Sequence, residues 1–156
     1  MSNQFNLHAA QMKSLQILKL SIEVHDPVAA HSDDYSFGEY ALETGHSAFN
    51  EEDSTIQVMM RVRSGKFAVD DSNDLETNAE FSSQPISILA EVGSIFFVNT
   101  DSFPKDKISN WAEANAPLIL YPYVREQVYG LSTRVGIKPV LLPLLEIPTF
   151  RISGKN

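Results

Sequence analysis

Apolar and polar residues alternate along several stretches of the chain, the repeat of a half-buried β-strand. Leu18, Leu20, Ile22 and Val24 alternate with Lys19, Ser21 and Glu23 and predict a first strand whose N-terminal part reaches back towards Leu15. Ile56, Val58, Met60 and Val62 alternate with Gln57, Met59, Arg61 and Arg63 until Ser64-Gly65 cuts the run, which predicts a second such strand. A shorter stretch, Phe37 to Glu43, turns Phe37, Tyr40 and Leu42 inward and is also read as a strand. Ile86, Ile88, Ala90 and Val92 alternate with Ser87, Leu89 and Glu91, and the run resumes as Ile95-Phe96-Phe97-Val98. One long strand is expected there, with Gly93 as a bulge that re-aims its side chains.

Beyond Asn99 the period changes. Ile108 to Ala114 predicts a short helix, and Val124, Val128, Leu131 and Val135 recur at the spacing of one helical face. Pro122 is expected in the first turn of that second helix and Gly136 just past its end, the usual asymmetry of the two residues. The segment from Ile137 to Ile152 is apolar but holds Pro139, Pro143 and Pro148, so it is expected to lie extended over an apolar surface.

A length of 156 residues fits one domain with a modest core, with residues 1–13 expected to be flexible and residues 150–156 a short tail. A 43% hydrophobic and 21% charged composition argues against disorder throughout. From Glu23 to Glu80 fourteen acidic residues face three basic ones, and the net charge of -8 disfavours a nucleic-acid or anionic-lipid partner. Asp33-Asp34, Glu51-Glu52-Asp53 and Asp70-Asp71 with Asp74 sit beside Ser or Asn, the composition of solvated turns. Asp70 to Asp74 lacks the central Gly of a calcium loop. No run approaches the roughly 18 apolar residues of a membrane span, and no cationic-then-apolar start marks a secretory signal. A cytoplasmic protein without membrane insertion is the expectation.

Candidate catalytic chemistry is sparse. The chain has no Cys, its His8, His25, His31 and His46 lack metal-ligand spacing, and no Gly-rich phosphate loop or G-x-S-x-G turn occurs. No enzyme, metal or cofactor is therefore expected. Apolar surface is plentiful instead, with fourteen aromatic residues in the stretch Tyr35 to Phe150 and a Leu-rich tail. That total exceeds what a four-strand sheet with one helix readily covers, and leaves surface for other subunits or for clients.

Asn115-Ala116-Pro117-Leu118-Ile119-Leu120-Tyr121-Pro122-Tyr123-Val124-Arg125-Glu126 closely resembles the signature of the SecB-type protein-export chaperones, in which these residues open the long helix. Pro139-Val140-Leu141-Leu142-Pro143 is similar to the family's segment after that helix. Ile88-Leu89-Ala90-Glu91-Val92 with Gly93-Ser94-Ile95-Phe96 resembles its third strand, and Leu15 to Asp26 its first. The resemblance implies an α+β fold: a four-stranded antiparallel sheet with the long C-terminal-half helix packed on it, assembled as a dimer of dimers.

By the same resemblance, first strands pair edge to edge between subunits and the long helices lie between the two sheets, giving a homotetramer. That assigns Leu18, Leu20, Ile22, Val24, Val124, Val128 and Leu131 to the oligomer interface. The implied activity is ATP-independent capture of unfolded polypeptides, with no cofactor and with SecA as the partner in export. Client contacts are placed on Tyr35, Phe37, Tyr121, Tyr123, Leu144, Leu145, Ile147 and Phe150. Typical members continue into a C-terminal helix and a polar tail, whereas this sequence stops at Asn156. A dedicated chaperone of an antitoxin, as some members are, is therefore the alternative to an export role. A small-ligand-binding α+β domain is the reading from another class.

Overall fold

The computed structural model describes residues 5–70 and 75–146. Four strands form one antiparallel sheet: β1 (Ala10–Val24), β2 (Tyr40–His46), β3 (Thr55–Ser64) and β4 (Ile86–Val98), in the order β1-β4-β3-β2. Four helices accompany it: α1 (Pro27–Ala30), α2 (Leu75–Ser82), α3 (Ile108–Ala114) and α4 (Ala116–Arg134). The α+β class and the antiparallel sheet with a long helix on it are thus as expected.

The alternation read from the sequence is what builds the core. Ile56, Val58, Met60 and Val62 of β3 and Ile86, Ile88, Ala90 and Val92 of β4 turn one way, and all are buried. Against them pack Leu120, Val124, Val128 and Leu131 of α4 with Ile108, Trp111 and Ala112 of α3. Each large aliphatic side chain removed from water contributes roughly 1.5 to 3 kcal/mol, so this two-layer contact is the main support of the fold. The other face of the sheet carries Gln57, Met59, Arg61 and Arg63 and has no helix over it in the same way.

Several details differ from the sequence reading, and the strand expected over Phe37 to Glu43 lies instead at Tyr40–His46, with Phe37 in the connection before it. The slip in register lies in β1, not at Gly93: the β1–β4 pairing shifts between Met12 and Ser14 and again between Ile17 and Lys19, while β4 runs on unbroken. Gly93 is small because Leu18, the extra residue of the second shift, folds across it; a Cβ there would meet Leu18 Cδ1 at 2.9 Å. The long helix begins at Ala116, so Pro117 takes the first-turn place and Pro122 lies inside the helix. Pro122 is exposed, where water can satisfy the carbonyl that its missing N–H leaves free. Residues 10–13, expected among the flexible N-terminal residues, already belong to β1. Gly136 follows the helix with φ of 76°, as its expected place past the C-terminus requires.

The segment after α4 runs back along the helix without regular structure. The Ser132 hydroxyl accepts from Val140 N–H at 2.9 Å, Arg125 Nε donates to the Leu142 carbonyl at 2.9 Å, and the Tyr121 hydroxyl donates to the Pro143 carbonyl. Helix side chains thus satisfy a backbone that its prolines keep out of any sheet.

Candidate functional site

The residues Asp26 to Glu39 join β1 to β2 and bring two aromatic rings to the tail. Asp26 caps α1 by accepting from Ala29 N–H at 3.0 Å, with Pro27 in the first turn. His31 then bridges two helix ends, with Nδ1 2.7 Å from the Pro27 carbonyl and Nε2 3.1 Å from the Val135 carbonyl. Beyond it Tyr35 and Phe37, half-buried, form one wall of a crevice of about 170 Å³ whose other wall is Lys138, Pro139 and Val140. Phe37 stacks on Tyr40 with centroids 5.8 Å apart and planes 21° from parallel. Burial pushes the Tyr35 phenol above its ordinary range, and among the described residues that hydroxyl has no hydrogen-bond partner. The tail continues with Leu141 66% exposed and Leu144 80% exposed.

Of the proposed client contacts, Tyr35, Phe37 and Leu144 present surface beside this tail. Tyr121 does not: it is buried, and its hydroxyl is spent on holding the tail to α4. Burial raises the Tyr121 phenol, the neighbouring Tyr40 adds to this, and Arg125 opposes it. Tyr123 and Leu145 are half-buried against the core. Ile147 and Phe150 lie outside the described residues.

The proposed interface residues divide likewise. Val124 and Val128 are fully buried and Leu131 nearly so, all against the chain's own sheet, so none of them is available to a second copy. An apolar stripe at helical spacing serves one neighbour, and here the neighbour is β3 and β4. The opposite face of α4 carries Ile119, Pro122, Glu126 and Tyr129 in the open. On β1, Leu20, Ile22 and Val24 are half-buried against the core, while Leu15, Ile17 and Leu18 remain exposed. Leu15 and Ile17 pair with Ser94 and Val92, which sets them on the helix side of the sheet, where they remain exposed. Sequence reasoning assigned no surface role to Ile119 and Tyr129; their position on a solvent face becomes visible only once the buried face is known.

The open face of the sheet holds an ionic network. Glu43 of β2 lies 2.5 Å from Arg61 Nη2 and pairs with Arg63, both on β3, and Arg61 Nη1 stands 3.7 Å from Glu91 on β4. Burial alone would raise the Glu43 carboxyl, but hydrogen bonds and charge from Arg63 and Arg61 outweigh it and hold the group below its ordinary value. Its stabilising share is therefore complete above the free carboxylate range near about 4.3 and is lost as pH falls through the lower folded value. Glu43→Gln is expected to lower stability by about 1 kcal/mol at neutral pH, given partial solvent screening, and to match the parent in strong acid. Denaturant titrations at pH 7 and at low pH check this; a constant difference across that range contradicts it.

No family model matches the chain. A 68-residue stretch is 32% identical to an uncharacterized protein of Methanocaldococcus jannaschii and covers 44% of this chain and 43% of that protein. A 91-residue stretch is 30% identical to the protein-export protein SecB of Neisseria meningitidis and covers 55% of this chain and 62% of that protein. The SecB of Neisseria gonorrhoeae matches equally. These matches span less than two thirds of the relatives' own length. In structure, the Mycobacterium tuberculosis SecB-like chaperone, solved in complex with a ChAD peptide from the HigA1 antitoxin, superposes with a TM-score of 0.61 at 21% identity. The superposition covers 90% of this chain and 94% of that one. The chain is similar to SecB in part of its sequence and shares the fold of the SecB-like chaperone.

The superposition extends over nearly the whole of both chains, so the likeness is one of overall fold. Among the described residues no helix is long and apolar enough to cross a membrane.

Proposed function

We propose that this chain is an ATP-independent holdase that captures unfolded polypeptide segments in the cytoplasm as a homotetramer. The observation that carries the reading is the exposed apolar tail, Leu141 and Leu144, continuing from the crevice of Tyr35 and Phe37 on a SecB-like fold. Such a surface binds many extended chains through side-chain burial, without a sequence code and without chemistry. Exposed Leu15 and Ile17 of β1 and the open face of α4 are the apolar surfaces that further copies would cover. Preproteins destined for Sec export, handed on to SecA, are the clients of this reading.

A second reading is favoured by the solved SecB-like chaperone with its antitoxin peptide: the client is one antitoxin rather than many preproteins. Stoichiometric binding of purified SecA supports export. Protection of an antitoxin encoded beside this gene supports the alternative.

The test of the shared claim is light scattering with and without a reduced, carboxymethylated α-lactalbumin. A tetramer that gains the client's mass is expected, and a chain that ignores the client overturns the proposal. Leu144→Asp, at an exposed position, is expected to weaken client binding at least about fivefold, the loss from one apolar side chain of roughly 1 kcal/mol or more. An unaltered circular dichroism spectrum shows that the fold is intact. Undiminished affinity in that variant removes the tail from the site.

A further inference from the structure

We infer that the free edge of β2 is where an extended client segment joins the chain, adding as a strand beside Tyr40–His46. This rests on the chaperone reading above and specifies how that site holds its ligand.

The strand order leaves β1 and β2 at the two edges of the sheet. Among the described residues, the backbone of Tyr40–His46 is hydrogen-bonded to β3 alone, so its outward N–H and C=O groups stand unpaired. Such a row is a template for another strand, and proteins usually blunt it with Lys, Pro or a bulge. β2 has none of these: it reads Tyr-Ala-Leu-Glu-Thr-Gly-His, and its register against β3 is unbroken over all seven residues. Its one acidic residue, Glu43, is already engaged by Arg61 and Arg63 of the neighbouring strand.

β1 is the opposite kind of edge. It carries Lys13 and Lys19 and two shifts of register. A second copy can match such irregularities through symmetry, whereas an arbitrary sequence cannot. A regular edge is what a partner of unspecified sequence needs, because backbone hydrogen bonds ask nothing of its side chains.

Side chains then set the preference. Tyr40 and Leu42 pair with Ser64 and Val62, which places them on the helix side of the sheet, and both are half-buried. Phe37 stacked on Tyr40 extends that apolar ledge towards the crevice. The Gln84 amide donates to the Glu39 carbonyl at 3.0 Å and fixes the entry to the strand. On the open side Ala41 and Gly45 are small and leave room for varied side chains. The ligand is therefore an unfolded polypeptide with apolar residues at alternate positions over about seven residues, the length of the strand that it joins.

The experiment uses the full chain, reduced carboxymethylated α-lactalbumin and ten-residue peptides cut from its bound region. Amide exchange at alternate residues of Tyr40–His46 is expected to slow at least tenfold when the polypeptide binds. One N-methyl group on an inward-facing peptide amide is expected to weaken peptide binding at least tenfold, and one on an outward-facing amide less than twofold. Unchanged exchange in β2, protection appearing on β1 instead, or peptides indifferent to N-methylation overturn the inference while the polypeptide still binds. Loss of polypeptide binding altogether overturns the chaperone reading with it.

Discussion

Val128→Asp is expected to abolish cooperative folding, whereas Tyr129→Asp, one residue further along the same helix, leaves the protomer folded. Val128 is fully buried between α4 and the sheet. A carboxylate there loses its hydration with no cation facing it, at a cost above about 4 kcal/mol, comparable with the whole stability of many domains. Tyr129 is 44% exposed on the opposite face. Its replacement should move protomer stability by no more than about 0.5 kcal/mol. Under the proposed assembly it places like charges where helices of two copies meet, so the solution mass is expected to fall. Circular dichroism melting and light scattering on both variants are the measurements. A cooperative melt for Val128→Asp refutes the placement of the helix, and an undiminished mass for Tyr129→Asp removes that face from the assembly.

Gly65→Ala is the second substitution with a large expected cost. Gly65 follows β3 with φ of 59°, a left-handed conformation that an alanine adopts only with strain of roughly 1 to 2 kcal/mol. Space is lacking as well. A Cβ at that position would run into the Ile86 carbonyl oxygen and the Ser87 hydroxyl, and would stand 2.8 Å from Ser87 Cα. Most of these atoms are backbone of the central strand, and the Ser87 hydroxyl is occupied: it accepts from Lys66 N–H at 2.8 Å and lies 2.6 Å from His25 Nε2. Relief by a simple rotation is therefore blocked. The sum should be on the order of 3 kcal/mol or more, a fall in Tm of about 10 °C for a domain of this size. Gly130→Ala is the matching control, because a Cβ there meets nothing within 4 Å and alanine is the better helix former. Its Tm should hold or rise; equal falls in both variants would show that neither conformation nor crowding sets the cost at Gly65.

The strands were legible because their alternation is regular: β3 obeys the period of two at nearly every residue, and β4 carries a buried aliphatic at every second residue from Ile86 to Val92. The register slips were not, since the sequence marks Gly93 as small without saying that the reason is Leu18 on the neighbouring strand. The start of α4 was misplaced for a similar reason. Two prolines, Pro117 and Pro122, fit a first turn equally well by their own chemistry, and only the chain's path into α3 decides for the earlier one. α2 escaped notice because it buries no residue, so no periodic pattern marks it.

For the candidate site the limit was of another kind. Periodicity identified Val124, Val128 and Leu131 as one apolar face but could not name what covers it, a second copy or the chain's own sheet. Tyr121 posed the same question, since an aromatic ring with a polar tip suits a groove as well as a core. Its bond to the Pro143 carbonyl answers it. Tyr35 and Phe37 are half-buried beside Lys138, Pro139 and Val140, a proximity between residues a hundred positions apart that no local pattern announces.

The way in which the tail is fastened bears on how the binding surface can change over time. Ser132, Arg125 and Tyr121 hold Val140, Leu142 and Pro143 through their backbone atoms, and the buried side chains of Val140 and Leu142 do the rest. Leu141 and Leu144 take no part in that fastening. Their identities can drift without altering the path of the chain, so under the proposed function the lining of the surface is free to change with its clients while the scaffold beneath it stays fixed.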